Sequence, residues 1–132
     1  MQRAVLAYQS IISSAVILLA MTALAVTVGA CSDKKVVKGQ SYTVRGEVTG
    51  MPTEHAGAFI RHEAIPEFVD ATGERRGMMS MIMEFAPSQG VSMDGITRGD
   101  KVEFRFRTAW DKKPALRLES IKKLPPDTKL EF

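Results

Sequence analysis

Beyond residue 31 the chain is built on alternation. The clearest case is Lys101 to Arg107 (KVEFRFR), where Val102, Phe104 and Phe106 face one way and Glu103, Arg105 and Arg107 the other. Period two is the signature of a half-buried β-strand. From Ser41 the same rhythm sets Tyr42, Val44, Gly46 and Val48 against Thr43, Arg45, Glu47 and Thr49, until Gly50-Met51-Pro52 ends it. Further strands are predicted over Ala58 to Ile65, stopped by Pro66, over Met78 to Phe85, ended by Pro87, and over Ala115 to Ile121 with Leu116 and Leu118 inward. Asp70 to Gly77 (DATGERRG) reads as a polar turn, Ser88 to Asp100 as turns with room for one helical turn near Met93, and Gly99-Asp100 as a tight turn. No segment after residue 31 carries a good apolar stripe at helical spacing. The expectation is an all-β fold. A small five-stranded Greek-key barrel of the OB type is the economical form, because closure leaves few open strand edges.

The first thirty residues are different. Arg3 is the only charged side chain before Asp33, and Ala15 to Ala30 (AVILLAMTALAVTVGA) is apolar apart from two threonines. A positive start, an apolar middle and small residues before a boundary make a secretory signal. The boundary, Val28-Gly29-Ala30-Cys31, resembles the lipobox of bacterial lipoproteins. That resemblance implies removal of residues 1–30, lipidation of Cys31, a tether over 31–40 and a folded domain over 41–132. Ser32 after the cysteine points by the same resemblance to the outer membrane. The other reading is an uncleaved anchor, since about 20 apolar residues span a bilayer. Both readings export the rest.

Composition narrows the chemistry. One cysteine excludes an intramolecular disulfide framework and a multi-cysteine zinc or iron–sulfur site, and two histidines cannot make a three-histidine site. Removing Arg3 with the leader leaves 17 basic and 15 acidic side chains, a net of +2. So small a basic excess gives no reason to expect nucleic acid. The unusual count is eight methionines, four of them (Met78, Met79, Met81 and Met83) within residues 78–83.

On a strand, Met81, Met83 and Phe85 leave the same face. His62 shares a face with Ala58 and Ile60. If the strands on either side of Asp70 to Gly77 pair as a hairpin, an imidazole and two thioethers can converge. Such donors suit Cu(I) and, by the same softness, Ag(I), whereas oxygen donors suit Ca and Mg. Thioethers lose no proton and cannot form disulfides, which suits an oxidising compartment. Taken alone, two methionines on an apolar face read as core. His62 as a ligand needs an orienting partner on its second nitrogen, and Glu63 or Asp70 can supply it. Met79 is expected to have a structural role or to support the site from behind, and His55, in a polar loop, to be solvated.

Three pieces in order now carry a family resemblance. His62-Glu63-Ala64-Ile65-Pro66, then Met81-Ile82-Met83-Glu84-Phe85, then Gly99-Asp100-Lys101-Val102-Glu103-Phe104 are similar to the CusF-like periplasmic copper-binding proteins. The match spans roughly residues 42–122. It implies an OB barrel, Cu(I) and Ag(I) as cargo, and His62, Met81 and Met83 as metal ligands. It also implies transfer of the ion to a partner protein, either an efflux pump component or a copper-enzyme assembly factor. Two departures stand out. Met81 follows His62 by 19 positions, longer than the family spacing, with Asp70 to Gly77 as the insertion. Met78 occupies the place where efflux-type members carry a tryptophan over the metal, so it reads as a further ligand or a lid. Trp110 lies in the loop before the last strand and is not expected to cover the ion. No nucleophile, base and orienting group come together, so an enzyme is not expected. The competing function is a metal-independent envelope lipoprotein that uses its barrel for protein contact.

Overall fold

The computed structural model describes residues 37–132. The expected leader and its expected lipidation site, Cys31, lie outside the described residues. Five strands follow in order: β1 (Ser41–Gly50), β2 (Ala58–His62), β3 (Met81–Pro87), β4 (Lys101–Thr108) and β5 (Leu116–Lys123). They close into a barrel in the order β1-β2-β3-β5-β4. Every neighbouring pair is antiparallel except β3 with β5, which run parallel through Ala86–Arg117 and Pro87–Leu118. The fold is therefore the all-β, five-stranded OB-type barrel expected from the alternation. Irregularities between Val48 and Gly50, and between Arg105 and Phe106, add the local twist that a small closed sheet requires.

The alternating residues fill the interior as their pattern dictates. Tyr42, Val44 and Val48 of β1, Val102, Phe104 and Phe106 of β4, and Leu116 and Leu118 of β5 are all buried. Phe85 joins Phe104 and Phe106 at ring-centroid distances of 4.9 and 5.0 Å, a packed aromatic centre. Gly99 turns with φ of +93°, a conformation that costs glycine nothing. Its N–H donates to the Val48 carbonyl (2.7 Å), while Val48 N–H donates to that of Asp100 (3.0 Å). The Asp100 carboxylate accepts from Thr97 N–H and ion-pairs with Lys123 Nζ at 2.9 Å. The Lys123 hydrogen bond is the main reason that its carboxyl is held below the ordinary aspartate range.

Several strand boundaries differ from the sequence expectation. β2 ends at His62 rather than Ile65, and β3 begins at Met81 rather than Met78. Between them the chain forms its own narrow hairpin, with bridges Ile65–Met78 and Val69–Arg75. β5 runs two residues further, to Lys123. Near Met93 there is a single turn, Ile96 N–H to the Met93 carbonyl, and no helix. Gln40, the last residue assigned to the tether, is already bonded into the barrel: its N–H donates to Thr108 Oγ1 at 2.9 Å.

The aromatic centre is the main source of rigidity. Phe104→Ala is expected to cost about 3–5 kcal/mol, read as a lowered urea midpoint with an unchanged slope. A loss below about 1 kcal/mol would contradict a close-packed centre.

Candidate metal centre

His62 is the last residue of β2 and Met81 the first of β3, and the register sets them directly opposite each other. Facing residues of an antiparallel pair send their side chains to the same side of the sheet. Met83 follows on that side opposite Ile60, and Phe85 opposite Ala58. Ala58, Ile60 and Phe85 are buried, so this is the interior side. It opens toward one end of the hairpin: Phe85 is buried, Met83 half-buried and Met81 44% exposed. His62 itself is 0% exposed.

The backbone around His62 is unusually close. Gly46 of β1 lies opposite His62 on one side and Val102 on the other. A Cβ there would come within 2.5 Å of the Arg61 carbonyl oxygen and 2.9 Å of an Ile60 methyl. Only glycine permits that approach.

One hydrogen bond sets the chemistry of the imidazole. His62 Nδ1 lies 2.7 Å from the main-chain oxygen of Glu63. A carbonyl only accepts, so Nδ1 carries the proton and Nε2 keeps the lone pair. Nε2 is buried and has no hydrogen-bond partner. Leaving such an atom unsatisfied costs about 1–3 kcal/mol, and a metal ion is one way to satisfy it. Burial pushes the His62 pKa below the ordinary histidine value, outweighing the bond to Glu63, which raises it. The ring is therefore neutral at neutral pH, the form that ligates metals. The other buried side-chain atom without a partner among the described residues is Ser80 Oγ, directly before Met81.

The inserted segment closes on itself. Asp70 Oδ1 accepts from Thr72 N–H (2.8 Å) and Glu74 N–H (3.2 Å), and Gly73 turns with φ of +87°. The Thr72 hydroxyl bond is the leading cause that lowers the Asp70 pKa. The Phe68 carbonyl accepts from both Arg76 and Gly77 N–H. The extra length is thus taken up in a local hairpin, and Met81 still returns to the position opposite His62.

Beside Met83 lies a shallow apolar pocket of about 310 Å³. Phe68, Met78, Trp110 and Leu116 also line it. Trp110 packs edge-on against Phe68, centroids 6.0 Å apart. Trp110, which the sequence places in the loop before the last strand and does not suggest as a cover for the ion, is delivered by the β4–β5 loop to the same pocket as Met78 and Met83. Nothing local in the sequence signals this, because the approach is made by the barrel's closure.

Two expected supports are corrected. Met79 is 80% exposed and does not stand behind the other methionines. The strand begins only at Met81, after a bend at Ser80, so strand parity cannot be extended back to residue 79. Glu63 does orient His62, but through its main chain, while its carboxylate is held by Arg45 at 3.0 Å in both bonds. Asp70 is engaged in its own turn and with Arg76. His55 is exposed, as expected of a polar loop. Among the described residues, no three His, Cys, Asp or Glu side chains gather as a metal site.

The depressed His62 pKa has a defined sign. Between the two pKa values the unfolded chain binds more protons than the folded one, so metal-free stability is complete above the unfolded value and falls as pH drops through about 6.5. Urea midpoints measured from about pH 7.5 down to about 5.5, above most carboxylate titration, should decline in the wild type and flatten in His62→Gln. Equal slopes in the two proteins would contradict the buried, neutral imidazole.

Comparison with known proteins gives the chain a family. The profile of the copper binding periplasmic protein CusF matches residues 41–123. A crystal structure of Ag(I)CusF is similar at 26% identity and a TM-score of 0.50, covering 64% of this chain and 99% of that one. Structures from Escherichia coli of apo-CusF and of CusF-Ag(I) are both 25% identical over 67% of this chain, and cover 93% and 98% of theirs, with TM-scores of 0.47 and 0.48. No curated protein matches at a significant level. With the profile spanning most of the chain, including every strand of the barrel, this protein belongs to the CusF family of periplasmic copper-binding proteins.

Proposed function

We propose that the exported domain carries one Cu(I) or Ag(I) ion on His62 Nε2 and the sulfurs of Met81 and Met83, and passes it to a partner protein. The observation that carries this reading is the buried, unpartnered Nε2 of His62 in direct register with Met81. A neutral imidazole and two thioethers make a soft, uncharged donor set, suited to a soft monovalent ion and poorly suited to magnesium or calcium. The exposure of Met81 gives an incoming ligand a way to replace it, so the ion can leave by exchange without unfolding the barrel. Met78, beside Met83 in the apolar pocket, serves as a lid or an additional sulfur donor. Trp110 lines the same pocket.

The leader fits the same role. Cleavage before Cys31 and lipidation of its sulfur would hold the domain to the periplasmic side of a membrane, with Ser32 favouring the outer one. The receiving partner is an efflux pump component or a copper-enzyme assembly factor. Thioethers would survive the oxidising compartment without forming disulfides, with sulfoxide formation as their weakness.

Titration with Cu(I) against a competing chelator tests the ligand set. Each lost ligand worth at least about 1.4 kcal/mol removes a factor of ten. Met81→Leu with Met83→Leu should therefore weaken binding by roughly 100-fold, while these near-isosteric changes leave the fold intact. Unchanged affinity in the double variant would contradict the proposal.

A further inference from the structure

The family match ends at residue 123, and the nine residues that follow turn back onto the barrel. Leu124 N–H donates to the Lys101 carbonyl at 2.7 Å, and Lys101 Nζ donates to the carbonyls of Pro126 (2.7 Å) and Thr128 (2.5 Å). These bonds steer the segment toward the end of β2. There Glu131 N–H donates to Glu63 Oε1 at 2.9 Å, and the Phe132 ring lies under the Arg61 guanidinium, 4.3 Å from its centroid.

Arg61 and Glu63 are the chain neighbours of His62. His62 faces inward, whereas Arg61 is exposed and the Glu63 carboxylate reaches outward to Arg45. The segment therefore holds, from outside, the side chains of the residues on both sides of the imidazole. β2 ends at His62, and its last bond to β1 is Glu63 N–H to the Arg45 carbonyl at 3.0 Å, before the chain enters the Ile65–Met78 bridge. The end of a regular strand is less protected against local opening than its middle. The same residue, Glu63, supplies the carbonyl that fixes Nδ1–H.

We propose that residues 124–132 form a strap that positions His62 for the metal, with Glu131 and Phe132 as its contacts. Resting on the ligand set proposed above, the strap holds the Glu63 carbonyl on Nδ1 and so keeps Nε2 available. Neither residue reaches the ion; both act through the side chains of Arg61 and Glu63, and by fixing these hold the backbone that carries His62.

The test compares the full chain with a chain ending at Leu124 and with two milder variants, Phe132→Ala and Glu131→Pro, the latter removing the donor N–H. Loss of an orienting contact behind a metal ligand costs roughly 10-fold in affinity. Ag(I) competition should show about that loss for the shortened chain, and a smaller loss for each single variant. In a His62→Ala background the same shortening should change nothing, since the strap acts through the imidazole. A general structural role would weaken Ag(I) binding equally in both backgrounds, and that result overturns the proposal. A nitrogen NMR measurement on the metal-free protein reads the same effect without silver: the His62 Nδ1–H resonance should be sharp in the full chain and exchange-broadened without the strap. An equally sharp resonance in the shortened chain also overturns it. Failure of the full chain to bind Ag(I) would instead refute the ligand set, and the NMR comparison would then decide the strap alone.

Discussion

The hydrogen bond from His62 Nδ1–H to the Glu63 carbonyl is the constraint on which the site depends. It assigns the proton to one nitrogen and leaves the other with a lone pair, buried and unpartnered. Burial then keeps the ring neutral. The remaining features bring sulfur to that lone pair's side of the sheet. The β2–β3 register sets Met81 opposite His62, and Gly46 lets β1 press close against the strand that bears the imidazole.

The barrel separates stability from chemistry along one hairpin. At its inner end Phe85 is locked between Phe104 and Phe106. Toward its other end the same face rises through Met83 to the half-open Met81. A rigid scaffold that ends in an accessible thioether suits a carrier. In the proposed ligand set the exposed Met81 would be the first donor exchanged, with His62 and Met83 following. The unsatisfied atoms at positions 62 and 80 are the structural cost of keeping that end ready.

Local periodicity accounts for what the sequence made legible. Alternation in β1 and β4 is strict, so their inward residues and the all-β barrel followed from the pattern alone. The pairing of His62 with Met81 followed from a hairpin argument that survived an insertion, because Asp70 to Gly77 forms its own closed turn. What parity could not reveal was where the strands stop. Extending it to Met79 failed because the chain bends at Ser80. Glu63 was recognisable as an orienting residue, but which of its oxygens does the work depends on backbone geometry. Trp110 and residues 124–132 approach from distant parts of the chain, and contacts of that range leave no local signature.

The central claim concerns the atoms around the ion, and X-ray absorption at the copper edge of the reduced, Cu(I)-loaded full chain reads them directly. The account predicts one nitrogen and two or three sulfur neighbours, the third sulfur being that of Met78, with the nitrogen lost in His62→Ala. A shell of nitrogen or oxygen alone, or one unchanged by that substitution, would contradict it.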